Sequence, residues 1–281
     1  MDKIFNTDDI YASNANLFKQ LNIDASIKLI QDDISMMNDL SDLFYDKSFV
    51  SIDNKVINLV ELFQSVQLTL YSALECFKHF CIADTYTLIR KYKDDLFFYL
   101  YILVYSTEKV DYFNKSKWNN KEDRIKDWTH NKLHDCNSSL MLKEIGESPI
   151  VREAVAKYNL RHIFIENNKK FDNYVHSNGA DFLNCVLTKK ICDHKYIKEQ
   201  LHNIPCVINY ITASFTFLLI LCVSHYISSS DYIDSFESGQ TPIDGSQYFV
   251  APFVVEYLKK HLDVLDSSCY QYLKDNTTML F

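Results

Sequence analysis

The chain has 281 residues, of which only four are Gly and four Pro, against 47% hydrophobic and 14% aromatic residues. Average proteins carry roughly 12% Gly plus Pro, so collagen-like, low-complexity and turn-rich all-β classes are excluded, and the apolar content excludes disorder. The net charge of −8, from 29 basic and 37 acidic residues, excludes a dedicated duplex-DNA binder, whose affinity comes largely from neutralising phosphates.

The N-terminal stretch has no apolar signal-type core, and the eight cysteines form no C-x-x-C pair, so reduced thiols in a cytoplasmic protein are expected. No Gly or Pro precedes Gly146, which predicts long helices in the first half. Ile27, Ile30, Ile34, Met37 and Leu40 mark the first, with Asp24 or Ser26 as its cap. Leu59, Phe63, Val66, Leu70, Leu74, Phe77 and Cys81 recur at steps of three and four and mark the second. Asp84 and Thr85 can cap the third, whose stripe is Tyr86, Ile89, Leu96, Leu100 and Leu103.

Residues 107–148 are polar and read as an insertion or mobile region holding short helices around Trp128. Ser148-Pro149 is a helix start signal, and Val151, Val155 and Tyr158 follow it. Gly179 can supply a left-handed helix stop. A further helix runs from about Asp193, broken or kinked at Pro205, to about Ile227. The last long helix carries Phe249, Phe253, Tyr257, His261 and Leu265 on one face. The expected fold is a single all-α domain over 1–281, a multi-helix bundle with additional C-terminal helices.

No Asp, Glu, Lys or Arg lies between Leu201 and Ser230, a gap long enough to span a bilayer. Six polar residues among the 22 from Cys206 to Ile227, and no close basic flank, point instead to a central core helix, so no membrane partner is expected.

Five features invite chemistry. The segment from Lys169 to Gly179 rings His176 with small polar groups, and Asn173 shares its helical face. Arg90 falls on the apolar side of its helix and needs a partner there. The structural alternative is an Arg90–Asp94 pair at i, i+4 and a His176 that caps a helix. His130 and His134 have the i, i+4 spacing of a zinc site, but Asn131 replaces the metalloprotease Glu, so no metal and no cofactor is expected. From Lys115 to Lys132 six basic residues face three acids, around the chain's two tryptophans, Trp118 and Trp128; this is where RNA would be placed, the alternative being a solvated segment with its aromatics tucked against the bundle. Glu75 and His79 at i, i+4 could pair or join Arg90.

Ala83-Asp84-Thr85-Tyr86-Thr87-Leu88-Ile89-Arg90-Lys91 and Asn173-Tyr174-Val175-His176-Ser177-Asn178-Gly179 resemble short motifs of HEPN-like bacterial helical proteins, over about residues 57–180. That resemblance implies a metal-independent ribonuclease of defence or toxin type, with a site near a homodimer interface. It implies His176 as general base toward a ribose 2′-OH, Arg90 as phosphate clamp, Asn173 beside them, and Lys169, Lys170 and Asn178 toward the substrate. The chain departs from the family in carrying Lys169 and Lys170, not Arg, just before His176, and lysine lacks the bidentate fork. The other reading, from net charge and that departure, is a non-catalytic helical protein that binds a protein partner.

Overall fold

A computed structural model of the protein describes residue 21 and residues 23–45, 47–52, 55–109, 115–130, 132, 138–179, 182–183 and 194–281. It is an all-α multi-helix bundle with one small hairpin. The described elements are α1 (Ile23–Phe44), β1 (Phe49–Ile52), β2 (Lys55–Asn58), α2 (Leu59–Lys78), α3 (Ile82–Lys109), α4 (Lys115–Thr129) and α5 (Ser138–Glu147). They continue with α6 (Arg152–Lys157), α7 (Leu160–Val175), α8 (His194–Cys222), α9 (Asp231–Glu237), α10 (Pro252–His261) and α11 (Cys269–Asn276).

The α2 stripe is buried from Leu59 to Phe77, as its spacing requires, and the Asn58 side chain accepts from the Val60 amide to cap the helix. The third helix starts at Ile82, ahead of the expected caps, and the Thr85 hydroxyl bonds back to the Cys81 carbonyl. Every residue of α3 from Leu96 to Tyr105 is buried, because α2, α4, α5, α7 and α8 all pack on it. Phe44, Phe63, Tyr99 and Phe215 meet ring to ring at 5.2–6.0 Å and join α1, α2, α3 and α8.

The apolar helix α8 runs through Pro205 without a break. It is long and apolar enough to cross a membrane, yet 83% of its most apolar window lies buried inside the bundle. Ser26 donates to the Leu201 carbonyl at 2.8 Å, so it ties α1 to α8 instead of capping α1.

Three local features depart from the sequence reading. The hairpin pairs Phe49 with Asn58 through Ile52 with Lys55, an alternation too short to stand out beside the helical stripes. Pro149 sits in a turn before α6, and α7 begins only after Asn159 takes a left-handed φ of 51°. The last helix stops at His261, and a separate α11 follows a turn in which Asp266 accepts from the Ser268 amide and hydroxyl.

α1, α8 and α10 are joined by a buried polar network. Asp33 is fully buried, and its Oδ1 accepts from Asn209 Nδ2 at 3.0 Å and the Tyr257 hydroxyl at 2.6 Å. The same Asn209 amide lies 3.0 Å from His261 Nδ1. Burial pushes the Asp33 carboxyl up to about 7, against the pull of the Tyr257 and Asn209 hydrogen bonds. Folding therefore takes up a proton between pH 3.8 and about 7, and this group's contribution to stability is lost as pH rises through that window. Burial and Lys260 push the His261 imidazole down, which gives the opposite slope near its ordinary value. The difference between wild type and Asp33→Asn isolates Asp33: the variant keeps the acceptor, and its stability should gain on wild type steadily from pH 4 to 7. Parallel pH curves for the two in urea unfolding would contradict this.

Candidate functional site

α3 and α7 meet along a seam of charges. Arg90 Nε donates to Asp94 Oδ2 at 2.7 Å, and Nη1 donates to Asp172 Oδ1 and, at 3.5 Å, to the Asn168 carbonyl. One turn further along α3, the fully buried Lys93 reaches Asn168 Oδ1 and lies 2.8 Å from Asp94 Oδ1. Burial pushes the Lys93 ammonium down, and Asp94 opposes that shift. Burial also works against the charge of Arg90, but Asp94 and Asp172 outweigh it and hold the guanidinium above its ordinary value. Two cations and two carboxylates thus balance inside the seam.

Beside the ions stands an aromatic wall. Tyr86 stacks on Tyr174 with centroids 4.4 Å apart, and its hydroxyl donates to Gln200 of α8 at 2.8 Å. The Lys170 ammonium lies 5.0 Å from the Tyr86 ring centroid, a cation–π contact.

His176 is the exposed C-cap of α7. The helix ends in a Schellman arrangement: the Asn178 amide reaches the Asn173 carbonyl at 2.8 Å and the Ser177 amide reaches Tyr174 at 3.2 Å. Ser177, not Gly179, is the left-handed residue that makes this stop, with φ 49°; Gly179 follows at φ 79°. Asn173 is half-buried, Lys170 is half-buried against Tyr86, and Lys169 and Asn178 are exposed.

The structure therefore brings the helix of Arg90 to the helix of His176, but the bond falls on Asp172, one turn before the histidine. No bond joins Arg90 to His176. Both structural alternatives are present: Arg90 pairs with Asp94, and His176 caps α7. Glu75 forms its ion pair with Lys78 at 2.7 Å, and His79 is exposed at the C-cap of α2.

Among the described residues, four cations of the basic stretch from Lys115 to Lys132 have carboxylate partners. Lys121 pairs with Glu108 at 2.8 Å, Arg124 with Glu144, Lys126 with Glu122 at 3.3 Å and Lys132 with Asp127 at 4.0 Å. The Tyr101 hydroxyl donates to the other Glu144 oxygen at 2.5 Å. Trp128 packs on Phe98 with centroids 4.5 Å apart; the side chain of Trp118 lies outside the described residues. The cleft here, about 330 Å³, is lined by three carboxylates, Glu108, Glu144 and Glu147, against two cations, Lys121 and Arg152, a poor balance for a polyanion.

His134 also lies outside the described residues, and His130 Nδ1 contacts the Lys126 carbonyl at 2.7 Å. Among the described residues no group of three or more His, Cys, Asp or Glu is placed to hold a metal, and Cys76, Cys81, Cys206, Cys222 and Cys269 are free thiols. No known family, curated protein or solved structure matches the chain.

Sequence reading missed Asp172 and the Asn168 carbonyl as partners of Arg90, and Lys93 as the second cation of the seam. It also missed Asp33, whose signal was present: the position falls between Ile30 and Met37 on the apolar stripe of α1. The Ser177 backbone gives a direct test of the α7 terminus. A non-Gly residue in the left-handed region costs roughly 1–2 kcal/mol. Ser177→Gly should raise the unfolding free energy by about 1 kcal/mol, and Ser177→Val should lower it. A destabilised glycine variant would contradict the assigned terminus.

Proposed function

We propose that this protein is a non-catalytic α-helical binding protein, and that the α3–α7 ion cluster fixes the bundle's shape. One observation carries the reading: the Arg90 guanidinium is held by Asp94, Asp172 and the Asn168 carbonyl. A phosphate would have to displace two carboxylates to be clamped there, and the buried Lys93 beside them would lose its counter-charge. The pairing of Lys121, Arg124 and Lys126 of α4 with carboxylates points the same way.

A second reading, metal-independent RNA cleavage of the HEPN-like type, is favoured by the α7 terminus. His176 is exposed there, next to the left-handed Ser177 and one turn after Asp172, and backbone strain concentrates at functional sites. In that reading His176 takes the 2′-OH proton, Asn173 and Asn178 flank it, Lys169 and Lys170 approach the phosphates, and a homodimer in a defence or toxin setting completes the site.

Purified protein incubated with total cellular RNA in EDTA separates the two. The binding-protein reading predicts no cleavage by wild type or His176→Ala. Cleavage by wild type that disappears in a folded His176→Ala variant would overturn it.

A further inference from the structure

α9 is a helix without a core. None of its seven residues is buried, although it carries Tyr232, Ile233 and Phe236. Phe236 is 72% exposed, and Ile243 in the loop that follows is 70% exposed. Ile233, Tyr248 and Leu280 add further exposed apolar surface. Several large apolar side chains left exposed on neighbouring elements of a folded protein point to a contact site.

The chain holds these residues together in one ordered lobe. α9 lies against the 3-10 turn Ser246–Tyr248. The Ser229 amide donates to the Phe249 carbonyl at 2.8 Å. Leu280 donates to the Tyr248 carbonyl at 2.7 Å, and its own carbonyl accepts from Val250 at 3.1 Å. A surface fixed this way loses little freedom on binding.

The lobe is also acidic. Between Tyr226 and Leu258 the sequence has no Lys, Arg or His, but it has Asp231, Asp234, Glu237 and Asp244 around the apolar residues. The Asp231 and Asp234 carboxylates accept from the hydroxyls of Ser229 and Ser230, at 2.8 and 2.7 Å, and no described cation pairs with any of the four.

We propose that this lobe is a docking surface for a basic, apolar segment of a partner protein, such as an amphipathic helix with Lys or Arg beside Leu-type residues. The inference rests on the binding-protein reading and names its partner's chemistry. Charge decides among occupants. A second copy docked through the same face would set these carboxylates against their own equivalents, and an anionic lipid surface would repel them. A cationic segment gains both the apolar contact and the ion pairs.

Fluorescence anisotropy with three labelled peptides tests this: a Leu/Lys amphipathic helix, a Leu/Glu counterpart, and a Lys/Ser peptide without apolar residues. The Leu/Lys peptide should bind wild type, and the other two should not. Phe236→Ser with Ile243→Ser should weaken binding by about tenfold or more, as should Asp234→Asn with Glu237→Gln. Glu61→Gln, an exposed acid on α2, should leave it unchanged. Because α9 buries no residue, these variants should melt like wild type. No binding by the Leu/Lys peptide, binding indifferent to the lobe substitutions, or equal binding of the Lys/Ser peptide would overturn the proposal. So would a dimer, or adsorption to anionic vesicles, that Phe236→Ser abolishes. A protein that neither cleaves RNA nor binds the peptide would overturn this inference alone; RNA cleavage dependent on His176 would overturn the reading beneath it.

Discussion

A helix buried on nearly every side must find partners for each charge it carries. α3 is that helix: its stretch from Leu96 to Tyr105 is fully enclosed, and its first half carries Arg90, Lys93 and Asp94 into the seam with α7. An isolated buried ammonium costs several kcal/mol. Lys93 is tolerated because Asp94 and Asn168 meet it, and Arg90 completes the balance through Asp172. α7 is therefore placed by electrostatic necessity as well as by the packing of Phe97 on Phe164 and of Tyr86 on Tyr174.

The same logic recurs where α1, α8 and α10 meet. Asp33 occupies a core position of α1, and Asn209, Tyr257 and His261 gather around it from α8 and α10. Among the described residues its second oxygen, Asp33 Oδ2, has no hydrogen-bond partner. A protonated carboxyl tolerates that setting far better than a charged one. The bundle thus has two polar joints, one ionic between α3 and α7 and one close to neutral between α1, α8 and α10. Apolar contacts supply the bulk of the cohesion; the joints fix which helices neighbour one another.

How much of this was legible in the chain depends on the range of the interaction. The stripe from Leu59 to Phe77 follows from periodicity and the buried α8 from its charge-free apolar run, both local signals, whereas the one-face stripe of α3 does not announce its enclosure on every side from Leu96 to Tyr105. The Arg90–Asp94 pair is also local, at i, i+4. The Arg90–Asp172 bond spans 82 positions and the Tyr257–Asp33 bond 224, and no spacing rule reaches that far. Terminus chemistry was legible in kind but not in place. The α7 stop falls on Ser177 rather than Gly179 because the Schellman bonds close two residues earlier, and the helix read as reaching Leu265 stops at His261, with α11, not read from the sequence, starting after the Asp266–Ser268 turn. The docking lobe was hidden for a different reason: Ile233, Phe236 and Ile243 look like core residues in sequence, and only the packing leaves them outside.

The claim on which the account turns is that the Arg90–Asp172 contact is a structural joint. A double-mutant cycle of Arg90→Ala and Asp172→Ala, read by urea unfolding, tests it most directly. Each single substitution should destabilise the protein, and the coupling between them should be about 0.5–1 kcal/mol, since Arg90 is largely buried and Asp172, half-exposed, belongs to the same hydrogen-bonded network. Single variants as stable as wild type, with additive effects in the double variant, would show that the seam does not hold the bundle together.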